Sequence, residues 1–189
     1  MRTILAAAAA LTLLAVPAKA DEIADTLRAA LEAYEAGDVA VAREEAEYAV
    51  QLLAQAKAGG LGEFLPEAPA GWTRELGDAS AGTGMMAMFG GGVSASATYL
   101  SPTGDDAEVQ LVADSPMIAA MAAMFSSPAA MGAMGRVQRI KRVNFAVDGD
   151  GEIKGMVGGK VMITVSGSAS EADKIALIEA MDLAELGNF

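Results

Sequence analysis

The apolar residues of this chain change their spacing once, and that change sets the fold class. From Ile23 to Tyr34 they recur every three or four residues, which places them on one face of a helix. After Trp72 apolar residues alternate with polar ones, which is the period of a half-buried strand. The sequence therefore predicts an α+β protein, in which a helical segment precedes an antiparallel sheet with helices packed on one face.

The helical segment divides at Gly37, because Asp38 follows in the position of an N-cap for a second helix. Two amphipathic helices joined by a short turn form an antiparallel helical hairpin, which we assign to residues 21–58. Glycines and prolines punctuate residues 59–71, which we interpret as an extended connector. Residues 72–189 then form the sheet domain.

The turn of the predicted hairpin carries a motif that occurs in repeat proteins. Residues 33–38 read Ala-Tyr-Glu-Ala-Gly-Asp, and Ala42 and Ala49 are small at positions where two helices approach closely. In these features residues 24–57 resemble a single tetratricopeptide repeat. The alternative is a generic helical hairpin docked on the next domain. One repeat cannot bury its own apolar face and the sequence holds no second copy, so we do not expect a groove-forming array.

Turn residues divide the second region into strands linked by hairpins. The strands predicted from alternation are Val93–Leu100, Glu108–Val112, Arg136–Ile140, Val143–Val147, Glu152–Val157 and Lys160–Val165. Two short helices begin at Ser115-Pro116 and Ser127-Pro128, because proline is favoured at the first helical position. Ser170, with Asp173 three residues later, predicts the start of a final helix.

Two wider resemblances concern the order of elements. Residues 72–189 are similar in this order to PsbP/Mog1-like domains, which pair an antiparallel sheet with flanking helices. The whole chain, a hairpin followed by a Met-rich sheet domain that ends at residues 180–186 with A-M-D-L-A-E-L, resembles a family of exported proteobacterial proteins of unknown function. Neither resemblance implies functional residues.

The first 20 residues have the three parts of a secretory signal peptide. A positive start at Arg2 precedes an apolar run from Ile4 to Val16, and Ala18-Lys19-Ala20 has the pattern of a cleavage site. This run is shorter than the about 20 residues that a transmembrane helix needs. We therefore expect a protein that is exported to the periplasm, cleaved after Ala20 and not integral to a membrane.

Histidine and cysteine are both missing from the 189 residues, and this excludes whole classes of chemistry. Without them there is no imidazole base, thiolate nucleophile, disulfide or iron–sulfur cluster.

A net charge of −12 argues against a nucleic-acid partner. We therefore expect a non-catalytic protein without a cofactor, which binds a periplasmic protein or an apolar ligand. The oligomeric state stays open. A carboxylate-based hydrolase is an alternative, because carboxylates that folding brings together are not visible in a sequence.

Methionine is the most unusual component, with 12 residues in the chain. The candidate ligand or partner surface comprises Met85, Met86, Met88, Phe89, Met117, Met121 and Met124. The last three have i, i+4, i+7 spacing and so share one face of a helix. Three interpretations compete, namely adaptable packing, an adaptable apolar surface for a partner, and thioether ligands for Cu(I). We assign no residue as a metal ligand at this stage.

Two charged clusters favour structural roles over binding. Residues 148–152 follow a D-x-D-x-E pattern, but Ile153 stands where a calcium loop requires glycine, so a hairpin turn is favoured. The second cluster is basic and consists of Arg136, Arg139, Lys141 and Arg142. It either binds an anionic partner or forms a solvated face of a strand.

Overall fold

The computed structural model describes residues 19–77, 80–81 and 91–189. Most of the expected signal peptide, residues 1–18, lies outside the described residues. The chain divides into two compact units, one ending at Ala46 and the other spanning Glu47–Phe189. This division falls inside the second helix, whereas the sequence predicts a hairpin that ends at residue 58. The residues beyond Ala46 explain the difference, because the helix goes on to supply side chains to the core of the sheet unit.

The predicted helical hairpin is present. Its helices are α1 (Lys19–Glu35) and α2 (Val39–Gly62). The chain reverses at Gly37, whose φ of +84° lies in the left-handed region that glycine tolerates. The carboxylate of Asp38 then accepts a hydrogen bond from the N–H of Val41 at 3.1 Å, which caps the start of α2.

α2 extends further than the sequence predicts. Its end is expected at Gly59-Gly60, yet the helix continues to Gly62. Ala58 and Leu61 are fully buried in the main core of the sheet unit. Burial of a leucine side chain contributes about 1.5–3 kcal/mol, which offsets the roughly 1 kcal/mol that each interior glycine costs a helix.

The second unit is built on one antiparallel sheet. Its strands are β1 (Thr73–Leu76), β2 (Ser80–Ala81), β3 (Val93–Leu100), β4 (Asp106–Ala113), β5 (Arg136–Ile140), β6 (Val143–Val147), β7 (Ile153–Val157) and β8 (Val161–Ser166). The order across the sheet is β1-β3-β4-β8-β7-β6-β5, and β2 also pairs with β3. Every strand predicted from alternation is present within two residues of its expected ends, while β1 and β2 are additional.

Short helices accompany the sheet. They are α3 (Pro116–Ser126), α4 (Pro128–Met134), α5 (Glu171–Ala180) and α6 (Leu183–Leu186). The expected proline starts of α3 and α4 are confirmed. At the start of α5, the Ser170 hydroxyl accepts a hydrogen bond from the N–H of Asp173 at 3.2 Å, so the predicted cap is confirmed.

The two faces of the sheet are covered by different helices. The main core lies on the face that carries Phe145 and Ile163, where α5, α6 and the end of α2 pack. Ala146 points to the opposite face, because successive side chains of a strand alternate. There it packs with Phe125 of α3 and Met131 of α4 in a smaller cluster. The α+β class is confirmed, and the structure adds this second helical layer.

Candidate interaction surfaces

The structure divides the predicted methionine surface into separate parts. Four of its residues lie outside the described residues, namely Met85, Met86, Met88 and Phe89. Met117 and Met124 are about half exposed on α3. Met121, on the same helix, is partly buried and packs against the cluster that contains Phe125. The i, i+4, i+7 spacing therefore does not make one uniform surface, because the buried side of α3 is centred on Ile118 and Phe125.

Methionines that are distant in sequence meet between the sheet and the helices α3 and α4. We define the methionine cluster as Met121, Met131, Met134, Met156 and Met162, which pack with Phe125 and Ala146. Met131 is fully buried and the other four are partly buried. Met156 and Met162 stand directly opposite each other on β7 and β8. This pair is absent from the predicted methionine surface, and it follows from the hairpin register once the turn is centred on Gly159.

Exposed apolar side chains line one face of α1. Leu27, Leu31 and Tyr34 are 47%, 56% and 65% exposed, and Val39 at the start of α2 is 64% exposed. We call these four residues the hairpin surface. The three residues of α1 share one face because their spacing is i, i+4, i+7. Such a stripe on an amphipathic helix usually packs on a core. Of the α1 side chains that the structure describes, residues 22–35, Thr26 is the buried one instead.

Two exposed carboxylates are sequence neighbours of residues in the hairpin surface. Glu32 and Glu35 are exposed on α1 beside Leu31 and Tyr34. Residues 19–46 contain eight acidic residues and three basic ones, which gives this segment a net charge of −5. One of the bases, Arg28, forms an ion pair with Asp25 on its own helix. The hairpin surface is thus an apolar strip in an acidic setting.

A cavity of about 380 Å³ in the sheet unit is lined by four carboxylates and an apolar wall. The carboxylates are Glu63, Glu67, Asp182 and Glu185. All four are exposed, Glu67 forms an ion pair with Arg74, and Asp182 accepts hydrogen bonds from the N–H groups that begin α6. Two of the four carboxylates are therefore engaged in structural contacts, so the cavity offers no specific support for the hydrolase alternative.

The acidic motif of residues 148–152 is a hairpin turn between β6 and β7. The Asp148 carboxylate accepts hydrogen bonds from the N–H of Asp150 at 3.0 Å and of Glu152 at 2.9 Å. The hydrogen bond from Glu152 is the main reason that the pKa of Asp148 lies below its usual range. Within the described ranges, no group of three acidic, His or Cys side chains is placed to hold a metal ion.

The basic cluster is partly used inside the sheet unit. Arg136 forms an ion pair with Glu171 at the start of α5. The ammonium of Lys141 donates a hydrogen bond to the carbonyl of Met181 at 2.9 Å, so it holds the end of α5. Arg139 and Arg142 are exposed. Two of the four basic residues therefore have structural roles, which favours the interpretation as a strand face over an anion site.

Neither a membrane span in the described ranges nor a similarity to a known protein points to a function. Among the helices of the described ranges, none has the length and apolar character that crossing a bilayer requires. No family model, curated protein or solved structure matches this chain. Function is therefore inferred from the surfaces themselves.

Proposed function

We propose that this is an exported, non-catalytic protein that binds a partner protein in the periplasm through the hairpin surface. The observation that carries the proposal is the exposure of Leu27, Leu31 and Tyr34 on one face of α1. Fully burying an apolar side chain of this size contributes about 1.5–3 kcal/mol. Since each of these three is about half exposed or more, a partner that covers them gains part of that free energy from each.

The charges beside the hairpin surface select the kind of partner. Glu32, Glu35 and the net charge of −5 over residues 19–46 attract a cationic surface and repel a second copy of the same acidic face. A helix that offers apolar side chains at i, i+4, i+7 matches the spacing on α1. We therefore infer that the partner is an amphipathic helix with Lys or Arg next to its apolar face.

The resemblance of residues 24–57 to one tetratricopeptide repeat supports this proposal. In an array of such repeats, each hairpin is covered by its neighbour. The present sequence contains no second copy of the motif, so a helix from another protein takes the place of the missing neighbour. A partner helix that packs at the usual interaxial distance of about 8–10 Å completes the layer.

The partner chemistry is tested by titrating the full chain with two synthetic peptides in a calorimeter. Both peptides form amphipathic helices with the same leucine face, and one has lysines where the other has glutamates. We expect saturable binding of the lysine peptide, weaker at high salt, and none of the glutamate peptide. Equal binding of both peptides, or binding of neither, contradicts the proposal.

Charge reversal of the two glutamates on α1 tests where the lysine peptide docks, and charge reversal of a glutamate elsewhere is the control. The double variant Glu32→Lys, Glu35→Lys is expected to lose affinity for the lysine peptide by about tenfold, since each close charge contact contributes roughly 0.5–1 kcal/mol. Glu179→Lys, which changes an exposed residue of α5, is expected to bind like the parent. Glu179→Lys makes one charge reversal where the double variant makes two, so a loss of about half the binding free energy lost by the double variant indicates general electrostatic attraction and contradicts docking on α1.

A further inference from the structure

We propose that the methionine cluster is a binding site for Cu(I), independent of the hairpin surface. Side chains from two helices and two neighbouring strands converge there, namely Met121 of α3, Met131 and Met134 of α4, Met156 of β7 and Met162 of β8. Thioethers are neutral, soft ligands, and soft ligands select Cu(I) over hard cations such as Mg²⁺ and Ca²⁺. The chain has no His or Cys, so methionine supplies all of its soft side-chain ligands.

The distribution of methionine between the two cores argues for a specific role. Among the described residues, five of the seven in the smaller cluster are methionines. The described part of the main core is built from Val, Ile, Leu, Ala and aromatic residues, and it contains one methionine, Met181. If methionine served only as an adaptable filler, both cores would use it. The restriction to one cluster indicates that the sulfur atoms themselves matter.

The burial of the methionine cluster suits a metal that enters from solvent. Met131 is fully buried, whereas Met121, Met134, Met156 and Met162 are only partly buried. Partial exposure leaves a path for the ion to exchange its ligands for thioethers, and no electron transfer or bond cleavage is required. Met156 and Met162 are directly opposite on adjacent strands, where Cβ atoms lie about 4.5–5.5 Å apart. Their long side chains can therefore reach a common ion.

The charge of the chain favours cation uptake. The net charge is −12, so a monovalent cation is attracted at low ionic strength. Lys154 belongs to the strand that carries Met156, and it is paired with Glu152, which reduces its repulsion of an incoming cation. Phe125 and Ala146 give the cluster apolar neighbours, which offer no oxygen ligands that would favour a hard cation.

The site is tested with the full chain labelled with carbon-13 at its methionine methyl groups. Ag(I) is the probe, because it has the ligand preference of Cu(I) and is not oxidised in air; Cu(I) under reducing conditions follows. We expect the methyl signals of the methionine cluster to shift and to saturate at an equimolar amount of Ag(I). The signals of Met117 and Met124, which lie outside the cluster, are expected to stay in place. Absence of a saturable shift, or a shift confined to other methionines, overturns the proposal.

A set of leucine variants removes sulfur while keeping volume. The triple variant Met131→Leu, Met156→Leu, Met162→Leu retains two thioethers of the cluster and is expected to bind Ag(I) at least about tenfold more weakly. Met-to-Leu exchanges usually cost less than about 1.5 kcal/mol each, so thermal unfolding will show whether the fold is kept. The control variant Met117→Leu, Met124→Leu is expected to bind like the parent. A folded triple variant that keeps the parent affinity overturns the proposal, and if it does not fold the methyl shifts of the parent chain decide.

Discussion

The hydroxyl of Tyr99 donates a hydrogen bond to the carbonyl of Pro66 at 2.6 Å and so ties the segment after α2 to the sheet. Tyr99 is fully buried on β3, and Arg74 donates to the same carbonyl at 2.9 Å. Burial raises the pKa of Tyr99 to about 12, although the nearby Arg74 acts in the opposite direction. Pro66 also lines the acidic cavity, so this contact fixes the apolar wall of the cavity.

Stability at alkaline pH is expected to depend on Tyr99. The pKa of its phenol is about 12 in the folded chain, compared with the ordinary value of 10.0 that we take for the unfolded chain. The stabilising contribution is therefore complete below about pH 10 and is lost as the pH rises towards 12. Tyr99→Phe should show a smaller loss over this range in denaturant unfolding, and at neutral pH should cost about 1 kcal/mol for the hydrogen bond.

The ionisation of Tyr99 can also be followed directly. The difference in tyrosinate absorbance between the parent chain and Tyr99→Phe reports the phenol of Tyr99, and we expect it to ionise near pH 12 in the folded chain. If this phenol ionises at its ordinary value of 10.0 instead, the buried hydrogen bond to Pro66 is not present in solution.

Stability at acid pH is expected to depend on the contact between Asp106 and Ser168. The hydroxyl and the N–H of Ser168 donate to the Asp106 carboxylate, and these hydrogen bonds hold the pKa of Asp106 below its ordinary value. Because the folded pKa is lowered, the contribution is present above the unfolded value of 3.8 and is lost as the pH falls through the folded one. Ser168→Ala should raise the pKa of Asp106 in a carboxyl NMR titration. Ser166→Ala is the control, and an unchanged pKa in Ser168→Ala refutes the assignment.

Substitution of glycine by alanine is expected to have opposite effects on stability at Gly155 and at Gly132. Gly155 and Phe145 are directly opposite on β7 and β6, and a methyl group at Gly155 would overlap the Phe145 ring. Gly155→Ala should therefore lower the free energy of unfolding by about 1–3 kcal/mol. Gly132 on α4 has open space around it, so Gly132→Ala should raise the free energy of unfolding by about 0.5–1 kcal/mol. Chemical denaturation measures both, and equal effects would contradict the register of β6 and β7.

Much of the sheet unit follows from the sequence because its strands alternate and its turns are marked by glycine. β3 ends at Leu100 as predicted, because Pro102 and Gly104 define the turn that follows it. β1 was missed, since it is four residues long and mostly exposed, so it lacks an apolar alternation. α2 runs past its predicted end because the burial of Leu61 is a tertiary effect that local propensity does not contain.

The candidate sites were less predictable than the fold. The apolar stripe from Leu27 to Tyr34 can be read from the sequence, but its exposure cannot, since only the folded chain shows which stripes are covered. The methionine cluster joins Met121 to Met162, which are far apart in the chain. Their meeting depends on where α3 lies on the sheet and on the strand register. Helical periodicity groups Met121 with Met117 and Met124, and it contains no information on the strand residues Met156 and Met162.

One substitution measured in two ways tests the hairpin surface most directly. Leu31 is 56% exposed, so we expect Leu31→Asp to change the free energy of unfolding by no more than about 0.5–1 kcal/mol. The same variant should bind the lysine peptide at least about tenfold more weakly, a loss of roughly 1.4 kcal/mol, while Met124→Asp on α3 should bind like the parent. Strong destabilisation by Leu31→Asp would show that this side chain is buried in solution, and an unchanged peptide affinity would show that the hairpin surface is not the binding site.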